Sequence, residues 1–96
     1  MVYFERLANA IFVSTETTNL TNLEIEQFRI TLGKHIRKLR NIKGMGQEEF
    51  ADYAGIHRNH VGLVELGKID LRLSSLQRIA AACHIPLNQL FEISTD

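Results

Sequence analysis

Arg58 and Asn59 stand together at the head of a short stretch with helical periodicity. Both side-chain types can pair bidentately with base edges: Arg with O6 and N7 of guanine, Asn with N6 and N7 of adenine. If the stretch from Arg58 to Leu66 is helical, Arg58, Asn59, Gly62 and Leu63 share one face while Val61 and Val64 occupy the other. Gln47 opens a preceding helical stretch, where free N–H groups and the positive end of the helix dipole suit an anion such as phosphate. His57, His60, Cys83 and His84 raise the question of a metal, but neither a Cys-x-x-Cys pair nor a complete Cys/His ligand spacing is present. His60 lies on the same helix as Arg58, where a phosphate contact is the simpler reading, and Cys83 falls at an apolar helix position that suits the core. No Ser/His/Asp set, paired carboxylates, phosphate-binding glycine loop or cofactor motif stands out, so the expectation is no metal, no cofactor and no enzyme.

The elements that position these residues can be read from periodicity and caps. Thr21-Asn22-Leu23-Glu24 has the form of a capping box, and Ile25, Phe28, Leu32, Ile36 and Leu39 then mark one face of a helix running to about Lys43. Gly44-Met45-Gly46 stops it. A second helix spans Gln47 to Ala54, with Phe50, Ala51 and Ala54 facing inward, and Gly55-Ile56-His57 forms a turn into the third. Two short helices joined by a glycine-containing turn make a helix-turn-helix, whose second helix usually enters the DNA major groove. A fourth helix is expected from about Leu73 to Cys83, with Leu73, Leu76, Ile79, Ala80 and Cys83 on its apolar side. Pro86 suits the start of a fifth, whose buried face is Leu87, Leu90 and Phe91.

Length and charge bound what such a chain can be. Ninety-six residues make one small domain, which buries a modest core and gains from oligomerisation. A single cysteine, Cys83, rules out an intramolecular disulfide and fits a reducing, cytoplasmic setting. No apolar run approaches the ~20 residues that would span a membrane, and the first thirteen residues lack the basic leader of a secretion signal. Net charge is zero, which counts against DNA until it is mapped. Residues 1–30 hold two Arg against four Glu, whereas residues 31–78 hold nine Lys or Arg against five acids. The positive surplus lies in the segment that would touch phosphate, and it is a weak field.

Residues 32–91 resemble the lambda-repressor/Cro-like helix-turn-helix family. The resemblance rests on Leu32-Gly33-Lys34-His35-Ile36-Arg37-Lys38-Leu39-Arg40, Gly46-Gln47-Glu48-Glu49-Phe50-Ala51, Ala54-Gly55-Ile56-His57-Arg58, Glu65-Leu66-Gly67-Lys68 and Leu76-Gln77-Arg78-Ile79-Ala80. Within the family, the run from Gly55 through Gly67 is most similar to restriction–modification controller proteins, with small phage repressors nearly as close. The resemblance implies an all-α, five-helix DNA-binding domain over residues 21–96. It implies that Gln47 bonds a DNA phosphate and braces the recognition helix, and that Arg58 and Asn59 read bases. His60, Gly62 and Leu63 complete the candidate DNA-facing set. Lys68 and Arg72 are further phosphate candidates, followed by Arg37 and Lys43. Family members tie the end of the first helix to the end of the third, here Arg40 to Glu65. Dimerisation around the fifth helix makes Leu87, Leu90, Phe91 and Ile93 interface candidates, some of which must also fill the monomer core. Gly62 and Leu63 depart from the family, which often has Ser and a long polar residue there. Arg72 departs too, standing where Ser tends to cap the fourth helix, and Asp70 is the expected substitute cap.

Residues 1–20 fall outside the resemblance. Phe4, Leu7, Ala8, Ile11 and Phe12 recur at helical spacing, although Ile11-Phe12-Val13 could equally be a strand. This N-terminal arm is expected to cover its apolar face on a second subunit. The functional expectation is a homodimeric, sequence-specific transcriptional regulator on a palindromic operator of double-stranded DNA, a repressor or controller. The chain leaves no room for a separate effector domain, so its own concentration would set occupancy. Two alternatives stand: an antitoxin that autoregulates its operon, with residues 1–30 contacting a toxin partner, and a protein-interaction module that has lost DNA binding.

Overall fold

The computed structural model describes residues 21–93, and the expectations for the N-terminal arm lie outside them. Five helices follow one another: α1 (Asn22–Ile42), α2 (Gln47–Ala54), α3 (Arg58–Glu65), α4 (Leu73–Ala82) and α5 (Leu87–Leu90). The described residues are helices and connections, with no strand among them.

Each boundary has a local cause. The start of α1 is a complete capping box: Thr21 Oγ1 accepts from the Glu24 amide at 3.1 Å, and Glu24 Oε1 accepts from the Thr21 amide at 2.9 Å. Gly55 ends α2 in the left-handed conformation (φ 74°), which an L side chain adopts only at a cost, so the chain can reverse within three residues into α3. The α3 boundary agrees with expectation, except that Leu66 is the C-cap rather than the last helical residue. Pro86 is the N-cap of α5, one position ahead of the first helical turn.

The α2–α3 pair packs together; α1 lies against α3, and α4 packs on α2 and α5. The core is drawn from every helix: Leu32, Ile36, Phe50, Ala51, Ala54, Val61, Val64, Ile79, Ala80, Ala82, Cys83, Leu90 and Ile93. Phe50 and Ile36 are fully buried at its centre. At Gly33, a Cβ would sit 2.8 Å from the Glu65 carbonyl oxygen, so only hydrogen lets α1 approach the end of α3 so closely.

Two expectations require correction. Leu73 is 64% exposed rather than on the buried side of α4, because it is the helix's first residue and overhangs its end. Asp70 does not cap α4: the N-cap is Arg72, without a side-chain cap bond, and the Asp70 carboxylate instead pairs with Arg29 Nη1 at 2.9 Å. The apolar side of α4 gains Ala82, which the periodicity did not single out.

His35, on α1, is the polar irregularity of this interior. Its Nε2 is buried without a hydrogen-bond partner among the described residues. Burial, then the Lys38 charge, pushes its pKa down, while a hydrogen bond to the Gln89 backbone pulls the other way. The unfolded chain takes up this proton near the ordinary value of about 6.5. Folded His35 takes it up only at lower pH, so between those two values the unfolded state binds more protons and stability falls as pH falls. Urea unfolding of wild type should therefore weaken as pH drops below about 6.5. His35→Gln, which cannot titrate, should lose that part of the slope; an identical pH profile for the two proteins would show that His35 is not responsible.

Candidate nucleic-acid interface

The interface begins with a buried ion pair. Arg40 near the end of α1 donates from Nε to Glu65 Oε2 at 2.6 Å and from Nη2 to Glu65 Oε1 at 3.0 Å, and both side chains are buried. Such a two-pronged Arg–carboxylate match fixes geometry as well as charge. Arg40 Nη1 donates to the Met45 carbonyl at 2.7 Å, and Gln47 Nε2 donates to Glu65 Oε1 at 3.0 Å. One carboxylate at the end of α3 thus holds the end of α1, the start of α2 and, through Arg40, the loop between them. The bond to Glu65 raises the already high pKa of Arg40 against the opposing effect of burial, so its charge is permanent.

Around this anchor the structure brings together much of the candidate DNA-facing set. Gln47 is the exposed first residue of α2, whose N-cap Gly46 provides no side-chain acceptor, so the first amides of α2 keep no capping side chain. Its Oε1 lies 3.9 Å from where a Cβ on Gly62 would stand. That is ordinary contact, so nothing in the chain itself requires glycine at 62. Arg58 and Asn59, the first two residues of α3, are exposed, with His60 beside them and Leu63 38% exposed one turn on. Val61 and Val64 are buried, which points the polar face of α3 outward.

Two features escaped sequence reasoning. His57, read as a turn residue, is the N-cap of α3: its Nδ1 accepts from the Asn59 amide at 3.1 Å. That bond places the neutral ring's proton on Nε2, leaving an exposed donor beside Arg58. Position alone could have suggested the cap, but His lies outside the usual capping residues. Glu48, on the first turn of α2, pairs with Arg58 at 3.2 Å, with both side chains largely exposed. No local spacing signals a contact between residues on different helices.

Other candidates are placed elsewhere. Lys68 and Arg72 are exposed in the connection between α3 and α4, with Arg72 giving only its backbone to the α4 N-cap. Arg37 and Lys43 are exposed on α1 and at its C-cap. The four interface candidates divide: Leu90 and Ile93 fill the monomer core at 0% and 3% exposure, while Leu87 and Phe91 remain half-buried. Cys83 is buried and its thiol pKa is raised by that burial, which makes it a packing residue. His84 Nε2 meets the Tyr53 hydroxyl at 3.0 Å, and among the described residues no three His, Cys, Asp or Glu side chains converge as a metal site would need. No helix among them is long and apolar enough to cross a membrane.

The helix-turn-helix family model matches residues 36–90, more than half of the chain. Control protein C.SmaI of Serratia marcescens is 34% identical over 59 residues, covering 62% of this chain and 70% of that protein. Among solved structures, the restriction-modification controller protein C.AhdI from Aeromonas hydrophila aligns with a TM-score of 0.65 at 33% identity, over 67% of this chain and 97% of that one. The hypothetical transcription factor NHTF from Neisseria aligns with a TM-score of 0.64 at 36% identity, over 69% and 75% of the two chains.

The buried pair yields a stability prediction. Glu65→Ala leaves the Arg40 charge buried and should destabilise the fold by about 3–5 kcal/mol in chemical denaturation. Arg40→Met combined with Glu65→Leu should recover much of that loss, because an apolar pair carries no desolvation penalty. Small, additive effects of the two single substitutions would show that the side chains do not interact in solution.

Proposed function

Since the chain belongs to the helix-turn-helix family of DNA-binding transcriptional regulators, we propose that it acts as a homodimer on a palindromic operator, as a controller or repressor. The observation that carries this reading is the display of Arg58 and Asn59 on the exposed first turn of α3, a helix held at its other end by the Arg40–Glu65–Gln47 network. Arg58 takes guanine O6 and N7, and Asn59 takes adenine N6 and N7. Gln47 and the open amides of α2 bind phosphate beside them, and His60, Lys68 and Arg72 extend the phosphate track. Gly62 leaves the middle of α3 low enough for close approach, at a helix-propensity cost of roughly 1 kcal/mol. Leu63 packs on a thymine methyl.

A dimer follows from the size of the site. One recognition helix of two turns reads only a few base pairs, and two such helices about 34 Å apart address successive turns of the major groove. Leu87 and Phe91 are the half-buried members of the α5 region and supply the self-contact. Two of the relatives named above are controller proteins, which favours that role over a phage repressor. The protein acts in the cytoplasm, with the DNA.

Selection of bound sequences from random duplex DNA tests the reading: an enriched palindrome supports it, and no enrichment at low salt contradicts it in favour of a protein-interaction module. On the selected site, Arg58→Ala should lose about 1–3 kcal/mol and relax the preference at one base pair per half-site. Gln47→Ala should weaken all sequences more evenly, since phosphate carries no base code. An Arg58→Ala protein with unchanged affinity and preference would show that α3 is oriented differently on DNA.

A further inference from the structure

The geometry points to Glu48 as a positioning and specificity-determining residue: its carboxylate aims the Arg58 guanidinium at guanine and penalises DNA that offers Arg58 only a phosphate. The inference rests on the DNA-reading role of α3 proposed above.

Arg58 is the first helical residue of α3, at the positive end of the helix dipole, and the first turn of α3 contains no acidic residue. A cation there is repelled by the helix's own N–H groups. Glu48 supplies the missing counter-charge from the neighbouring helix, Oε1 to Nη1 at 3.2 Å. Glu48 itself sits in the first turn of α2, where a carboxylate is favoured by that helix's dipole, so its place does not depend on Arg58 alone. Both residues line one open groove at the α2–α3 turn, together with Asp52 and His57. With 62% and 70% of their side-chain surface exposed, they form a weak ion pair that adds little to stability.

Its consequence appears when DNA arrives. Guanidinium has five N–H donors, and Glu48 engages one nitrogen. The remaining donors still suffice for the two bonds to guanine O6 and N7, so at a cognate base Arg58 serves guanine and Glu48 together. At any other base those acceptors are absent. Arg58 then reaches for phosphate and abandons Glu48, which is left as an unpaired carboxylate facing the polyanion. Glu48 thereby converts a missing guanine into an electrostatic penalty. This matters for a chain of zero net charge, whose weak basic field gives little affinity to spare.

The test compares Glu48→Gln with wild type, and with Glu49→Gln as a charge-matched control on the same helical turn, using the full chain. Each protein is titrated against the duplex that wild type selects from a random pool and against a scrambled duplex, over a range of salt. For Glu48→Gln, scrambled DNA should bind about fivefold tighter, as expected from releasing one exposed ion pair, while the selected duplex gains less or weakens. Salt dependence on scrambled DNA should steepen by about one phosphate's worth, and repeated selection should return a weaker guanine preference in each half-site. Glu49→Gln should strengthen both duplexes alike and keep the base preference. If Glu48→Gln also strengthened both duplexes by one factor, or left both unchanged with the guanine preference intact, the inference would be overturned. If wild type itself selected no sequence, the DNA-reading role would fall first, a result distinguishable from either of these.

Discussion

A single carboxylate organises this small protein. Glu65 lies at the end of α3, buried, and receives Arg40 from α1 and Gln47 from α2. A buried ion pair adds little net stability over an apolar one, because desolvating both charges offsets their attraction. What it adds here is geometry. Apolar contacts of Val61 and Val64 alone would let α3 slide or roll on the core, whereas a two-pronged guanidinium bond fixes the helix in angle and register. The close approach of α1 at Gly33 has the same effect beside it, since the helix backbones there are separated by no side chain. The outer face of α3 is therefore presented by a fixed support, as the proposed reading of base edges requires.

Electrostatics on the outer face follow a different logic. The chain is neutral, and its surplus of positive charge is confined to its middle portion. A protein with a strong basic field binds any duplex and must find its site against its own non-specific affinity. In the proposed reading the discrimination falls to a few side chains around the α2–α3 turn, and two of them are already held by a neighbour: Arg58 by Glu48 and Gln47 by Glu65. Side chains oriented before binding lose less rotamer freedom on contact. In the same reading Lys68 and Arg72, as phosphate contacts, contribute affinity without discrimination.

The legibility of this structure in its sequence follows from the range of the interactions. Thr21 and Glu24 specify the start of α1 because capping is local, and Gly55 specifies the α2–α3 turn because only a left-handed residue reverses the chain so tightly. The apolar periodicity places Val61 and Val64 inward, and with them the outward face of α3. Contacts between distant segments leave no such trace. Asp70 meets Arg29 across 41 residues, and Glu48 meets Arg58 across two helices. The Arg40–Glu65 pairing was anticipated through family resemblance rather than through spacing. Near the C-terminus, hydrophobicity alone could not divide Leu90 and Ile93, which fill the core, from Leu87 and Phe91, which keep part of their surface. That division depends on how α5 docks, a property of the assembled helices.

The central claim is that α3 enters the major groove and that Arg58 meets a guanine there. N7 of guanine lies in that groove, so interference by N7 methylation on the selected duplex addresses the claim directly. The account predicts that methylating one guanine in each half-site, the two related by the palindrome's symmetry and about one helical turn apart, abolishes binding by wild type. The Arg58→Ala protein should be indifferent to the same methylation. Interference confined to adenine N3, in the minor groove, or wild-type binding unaffected by N7 methylation, would contradict it.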